Sequence, residues 1–239
     1  MKKRLKINGF IMFIAFILVV LFPKVFFRKV GVYFSDEAAG VFGIAFILWG
    51  QMFRTSARGY KSEHSQKGRI LIQEGPYALV RNPMYLGILL IGLGIVLMLF
   101  EWWAVFIFLL VFTIRYIWLI FKEEKSLVKI FPQVYPDYCK RVPRILPSPK
   151  KLLTQDISEY LPLKLSWVKK EIGSILTVLL IVISAESFEK IKSSGMKIYI
   201  VEVLEIVLVV ALFIYLIYYL SRRTSNFKEN VSTYKKNPL

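Results

Sequence analysis

From Pro83 to Phe100 this chain carries no charged residue, and after the single Glu101 a second apolar run, Trp102 to Phe121, carries only Arg115. Eighteen helical residues rise about 27 Å, close to the hydrocarbon thickness of a bilayer. In lipid every backbone polar group has to be satisfied within the segment, so runs of this kind fold as helices. One residue between them predicts a tight helical hairpin, with Trp102 and Trp103 suited to the headgroup level at its turn. The fold class that follows is all-α: a polytopic helical membrane protein.

Further apolar runs extend this reading to about six transmembrane helices, near residues 7–23, 38–53, 83–100, 102–121, 172–188 and 198–220. Lys24, Arg28 and Lys29 follow the first run closely where a small-residue cleavage site would stand in a signal peptide, so it reads as an uncleaved span. Gly40, Gly43 and Gly50 in the second would let neighbouring helices approach closely. Arg69-Ile70-Leu71-Ile72, in the polar stretch from Arg54 to Arg81, reads as a short surface-lying segment. Composition agrees: 56% of residues are hydrophobic and the mean hydropathy is +0.55. The net charge of +17 flanks the apolar blocks, which fits anionic lipid headgroups better than nucleic acid. With the N-terminus inside, 26 of the 33 basic residues fall on one side and six on the other, Arg115 being the remaining one. Both termini and both long polar regions are then cytoplasmic, in a multi-pass protein of the inner membrane. One cysteine and one histidine make metal sites built on clustered Cys and His improbable.

The hairpin opens on Glu74-Gly75-Pro76-Tyr77-Ala78-Leu79-Val80-Arg81-Asn82-Pro83-Met84-Tyr85-Leu86-Gly87. Asn82 then Pro83 predicts a helix start, with Asn capping free N–H groups and Pro at the first helical position. A helix N-terminus beside Arg81 and two tyrosines can hold an anionic group; equally, it can be only a well-capped span. Arg115 lies inside the fourth run. A charge there faces a polar cavity or partner, or snorkels to the surface. Glu123 and Glu124 at the end of that run read either as a solvated face balanced by Lys122 and Lys125, or as acceptors for hydrogen bonds from a ligand. Residues 131–147 alternate aromatic, basic and proline positions, and Tyr135 and Tyr138 could anchor such a segment at the interface.

Taken together, Gly-Pro-Tyr at 75–77, Arg-Asn-Pro-x-Tyr-x-Gly at 81–87, Glu-Glu-x-x-Leu at 123–127, Tyr-x-x-Tyr at 135–138 and Arg-Val-Pro-Arg-x-x-Pro at 141–147 resemble the isoprenylcysteine carboxyl methyltransferase family, a group that extends to phospholipid methyltransferases. The resemblance runs from about Ala38 to Pro147. It implies an integral membrane enzyme that uses S-adenosylmethionine in a pocket at the cytoplasmic face, with the acceptor arriving from the lipid side. The cofactor-binding candidates it implies are Tyr77, Arg81, Asn82, Pro83, Tyr85, Glu123, Glu124, Tyr135 and Tyr138; the catalytic candidates are Arg115, to orient an acidic acceptor, and Arg81. Asn82 stands where the family usually has His and cannot titrate near neutrality. Pro132 stands where it usually has Gly.

The function read from these residues is an S-adenosylmethionine-dependent methyltransferase core over 1–147, acting on a small lipophilic or lipid-linked carboxylate, thiol or amine. Residues 148–239 form an extension with two further spans. The alternatives are a membrane reductase of the sterol-reductase-like type and a non-catalytic scaffold that keeps the fold.

Overall fold

The computed structural model describes residue 17, residues 21–28, 34–148 and 157–194, and residues 200, 204, 208, 211, 212 and 215. Among them the chain is helical, with no strand and one isolated bridge between Phe27 and Phe100. The helices are α1 (Pro23–Phe26), α2 (Phe34–His64), α3 (Pro76–Leu79), α4 (Pro83–Leu99), α5 (Trp102–Ile130), α6 (Val134–Arg141), α7 (Ile157–Tyr160) and α8 (Leu165–Ser194). Two of these are long and apolar enough to cross a membrane, Ala38–His64 within α2 and Trp102–Ile130; Pro83–Leu99 is a shorter apolar helix. The expected first and last spans, 7–23 and 198–220, fall almost wholly outside the described residues.

The predicted hairpin is present as α4 and α5, with the turn tied to the segment after α1. Arg28 N–H donates to Leu99 O at 3.1 Å and Glu101 N–H to Phe26 O at 3.0 Å. The Arg28 guanidinium lies over the Trp102 ring at 4.4 Å. The closest helix pairing, however, is between α4 and α2. A Cβ added at Gly50 would stand 2.7 Å from Gly87 O, and one at Gly87 would stand 2.7 Å from Gly50 O. One turn-pair further along, a Cβ at Gly43 would stand 2.9 Å from Gly94 O. The seven-residue spacing on both helices puts each pair on one facing stripe, so the backbones touch where a side chain would hold them apart. Gly40, grouped with these by sequence, has nothing within 4 Å.

Three expected spans change their bounds. The second span was expected to end at residue 53, but α2 continues to His64. Its polar extension stays ordered because α8 runs antiparallel beside it and supplies partners. Arg54 Nη1 donates to Ser174 Oγ at 2.8 Å, and Arg58 Nη1 meets Glu171 Oε1 at 2.6 Å. Further along, Trp167 Nε1 donates to Glu63 Oε1 at 2.6 Å, and Lys164 pairs with the same carboxylate. The Trp167 ring occupies the space over Gly59. The fifth expected span, 172–188, thus lies within a longer helix that begins at Leu165 with polar residues. The fourth run likewise continues as helix to Ile130, so Glu123 and Glu124 stand inside α5 rather than at its end. Arg69 to Ile72 is not helical; Leu71 packs against the buried Tyr135 and Tyr138.

Candidate functional site

The two motif segments, far apart in sequence, meet at the start of α4. Gly75 takes φ of +59°, which favours glycine. The turn it begins carries Leu79 and Val80 into a core with Phe53, Leu86 and Leu161. That anchorage sets the backbone at Arg81, whose N–H donates to Pro143 O at 2.8 Å. Pro83 takes the first helical position as expected. Asn82 takes the cap position, but its side chain makes no cap hydrogen bond. Instead Asn82 Nδ2 donates to Arg144 O at 3.1 Å. The side chain thus ties the start of α4 to the segment after α6. Tyr138 Oη donates to Tyr77 O at 2.7 Å and closes the same seam.

Glu124 is the electrostatic centre. Arg144 Nε and Nη2 donate to its two oxygens at 3.0 and 2.9 Å, the parallel fork that suits a guanidinium–carboxylate pair. Arg81 Nη1 meets Oε1 at 3.0 Å, with both side chains 12% exposed. These hydrogen bonds hold the Arg144 guanidinium above its ordinary range. Arg81 Nη1 also donates to Cys139 Sγ at 2.8 Å, while Arg81 Nε is buried without a hydrogen-bond partner.

A cavity of about 600 Å³ opens beside this triad. Phe121, Glu124, Lys125, Val128 and Lys129 of α5 form one wall, and Arg81, Tyr135, Cys139 and Arg144 form the other. Arg144 also lies over the Phe121 ring at 4.6 Å. Burial raises the hydroxyl of Tyr135, with the Glu124 charge adding to it. Burial likewise raises Tyr138, and it raises Tyr77 with help from the Glu123 charge. All three phenols are therefore neutral at physiological pH.

Of the residues expected at a site, the structure brings Arg81, Glu124 and Tyr135 to the cavity wall. Tyr77, Asn82, Pro83 and Tyr138 form the seam that supports it. Tyr85 faces Tyr116 at 5.3 Å between ring centres, within the α4–α5 contact. Glu123 is not among the residues of the wall, and its charge acts on the Tyr77 hydroxyl. Arg115 is nine residues before Glu124 on the same helix, roughly 13 Å along its axis, beside Tyr116. It does not reach the cavity wall. Sequence reasoning missed Phe121, Lys125, Val128, Lys129, Cys139 and Arg144 as lining residues. The signal was present for most of them: 121, 125, 128 and 129 share one helical face with 124 once α5 is known to continue.

A family model described as phospholipid methyltransferase matches residues 29–134. It covers α2 to α5 together with Arg81, and ends one residue before Tyr135 of the second wall. The Protein-S-isoprenylcysteine O-methyltransferase of Schizosaccharomyces pombe is 32% identical over 112 residues, covering 44% of this chain and 48% of that protein. The chain thus spans about half the length of the relative it matches. No solved structure matches the chain. Both likenesses are to methyltransferases, and over its hairpin core the chain is similar to the phospholipid and isoprenylcysteine methyltransferases.

Proposed function

We propose that the chain is an integral membrane methyltransferase that uses S-adenosylmethionine and acts on a lipophilic or lipid-linked acceptor. The observation that carries this reading is convergence: the motif before the hairpin and the motif after it close around one cavity. Its volume of about 600 Å³ is in the range of pockets that enclose small-molecule ligands, roughly 300–1,000 Å³. The residues present fit the cofactor. The unpartnered Arg81 Nε–H would donate to its carboxylate. Glu124 accepts three hydrogen bonds, and a carboxylate has about four acceptor positions, so one remains for a ribose hydroxyl or an ammonium. Tyr135 and Phe121 offer aromatic faces, the arrangement that attracts a cation. When bound, the cofactor supplies a methyl group on a sulfonium, ready for in-line displacement. The chain contributes alignment and the exclusion of water. Arg115, deeper along α5 beside Tyr116, would orient an acidic acceptor.

The positive charge count supports a cytoplasmic site in the inner membrane, with both termini inside. The antiparallel course of α8 along α2 agrees with it, because the polar start of α8 then lies beside the polar end of α2 on that same side.

The test is calorimetric titration of the detergent-purified full chain with S-adenosylhomocysteine and, separately, with a reduced nicotinamide dinucleotide. Only the first is expected to bind. Arg81→Lys keeps the charge but loses the Nε–H and the planar fork. It should weaken S-adenosylhomocysteine by about ten- to hundredfold, the equivalent of one charge-assisted hydrogen bond. Arg115→Lys should leave that affinity unchanged and lower methyl transfer. Binding of the dinucleotide in place of S-adenosylhomocysteine overturns the assignment.

A further inference from the structure

The motifs that flank the hairpin end at Pro147, and the matched family stops at residue 134. The stretch from Ile157 to Glu171 lies beyond both, yet it packs on the segments that carry the two arginines of the site. α7 lies against α3. Leu161, 3% exposed, shares one core with Phe53 of α2 and with Leu79, Val80 and Leu86. Ile145 packs against the same core. Val80 is the residue before Arg81, and Ile145 is the residue after Arg144. Leu161 thus belongs to the core that joins the sequence neighbours of both guanidiniums gripping Glu124.

Leu161 is itself fixed from α2. The buried Ser56 donates Oγ to Pro162 O at 2.8 Å. Beyond it, the Trp167 ring fills the space over Gly59, and Glu171 meets Arg58. Interiors are close-packed, so a change of volume at Leu161 is passed to the residues around it. A guanidinium fork engages both oxygens of a carboxylate only in a narrow geometry. A small displacement of the backbone at Val80 or Ile145 therefore loosens the grip on Glu124. Leu163, two residues further on, provides the contrast. It is 2% exposed, but it packs in a separate core with Leu48, Met52 and Val168, none of them next to Arg81 or Arg144.

Resting on the methyltransferase reading above, we propose that Leu161 is a positioning residue of the cofactor site: through Val80 and Ile145 it sets Arg81 and Arg144 on Glu124. The segment after Pro147 is then part of the working site, although it lies outside the matched family and outside every motif of the hairpin.

The test compares Leu161→Ala with Leu163→Ala in the full chain in detergent. Both leave a cavity and should lower the melting temperature. Well below either melting temperature, only Leu161→Ala should also weaken S-adenosylhomocysteine, by about tenfold, within the range of coupling between residues that share contacts. Leu161→Met keeps the volume and should restore the affinity. Unchanged affinity in Leu161→Ala overturns the proposal, as does an equal loss in Leu163→Ala. If an alanine variant fails to fold, Leu161→Val and Leu163→Val make the same comparison with a smaller cavity. A second measurement needs no cofactor. Combined with Glu124→Gln, Leu161→Ala should destabilise by less than the sum of the two single changes, because the grip is already open, whereas Leu163→Ala should add in full. Additivity in both combinations overturns the positioning role. No binding of S-adenosylhomocysteine to the unaltered chain, with that difference in additivity intact, refutes the cofactor reading and leaves Leu161 as the residue that sets the Glu124 grip.

Discussion

Glu124 stands between two guanidinium groups that come from opposite ends of the hairpin, Arg81 before it and Arg144 after it. Removing its charge leaves both cations facing each other without compensation. Breaking a fully buried pair by deleting one partner costs about 3–5 kcal/mol. Here the Arg144 side chain keeps 39% of its surface in solvent, so Glu124→Gln should cost about 2–4 kcal/mol. The measurement is thermal unfolding in detergent, with Asp137→Asn as the control. Asp137 pairs with Lys140 on an exposed surface, and its loss should leave the melting temperature unchanged. Glu124 is thus held by two arginines and not balanced by Lys122 and Lys125 on a solvated face. The sequence showed the carboxylate but not the partner that fixes it, because Arg144 reaches it only after a proline-rich turn.

At the scale of elements, the α2–α4 contact is the most demanding. Gly87→Ala would put a Cβ 2.9 Å from Arg54 N and 2.7 Å from Gly50 O. These are backbone atoms that cannot step aside. The helices would separate, at a cost of about 1–3 kcal/mol, the usual range for overpacking. Gly40→Ala has open space around it and should be neutral or slightly favourable by helix propensity. Comparing the two melting temperatures checks the contact. Much of this was legible beforehand: the hairpin from its charge-free runs, the helix start from Asn82-Pro83, and close approach from Gly43 and Gly50. Less was legible where polar residues continue a helix. Arg54 to His64 and Lys122 to Ile130 look like loop by hydropathy. The first is helical beside Glu171 and Trp167 of α8 and Lys164 just before it, which partner its polar side chains; the second continues α5 and lines the cavity with Glu124, Lys125, Val128 and Lys129. Nothing in a linear reading couples residue 58 to residue 171.

For the whole molecule, the proposed orientation places the α2 end, the start of α8 and the cavity on one side. A reporter active only outside the cytoplasm should stay silent when fused at Leu239 and should be active when fused at Gly195. The reverse pattern would invert the orientation, and silence at both would deny that α8 carries the chain across. The seam at the cavity also fixes an order of events during synthesis. Asn82 and Arg144, joined by a hydrogen bond, are 62 residues apart, and the entire hairpin lies between them. The carbonyls that Arg81 N–H and Asn82 Nδ2 reach, Pro143 O and Arg144 O, are made only after both hairpin helices have been synthesised. A nascent chain that ends before Arg144 holds Glu124 with one guanidinium instead of two, and the amide of Asn82 is still open. The membrane helices can therefore be placed early, while the site closes last, through contacts of high sequence separation whose loop closure is intrinsically slow.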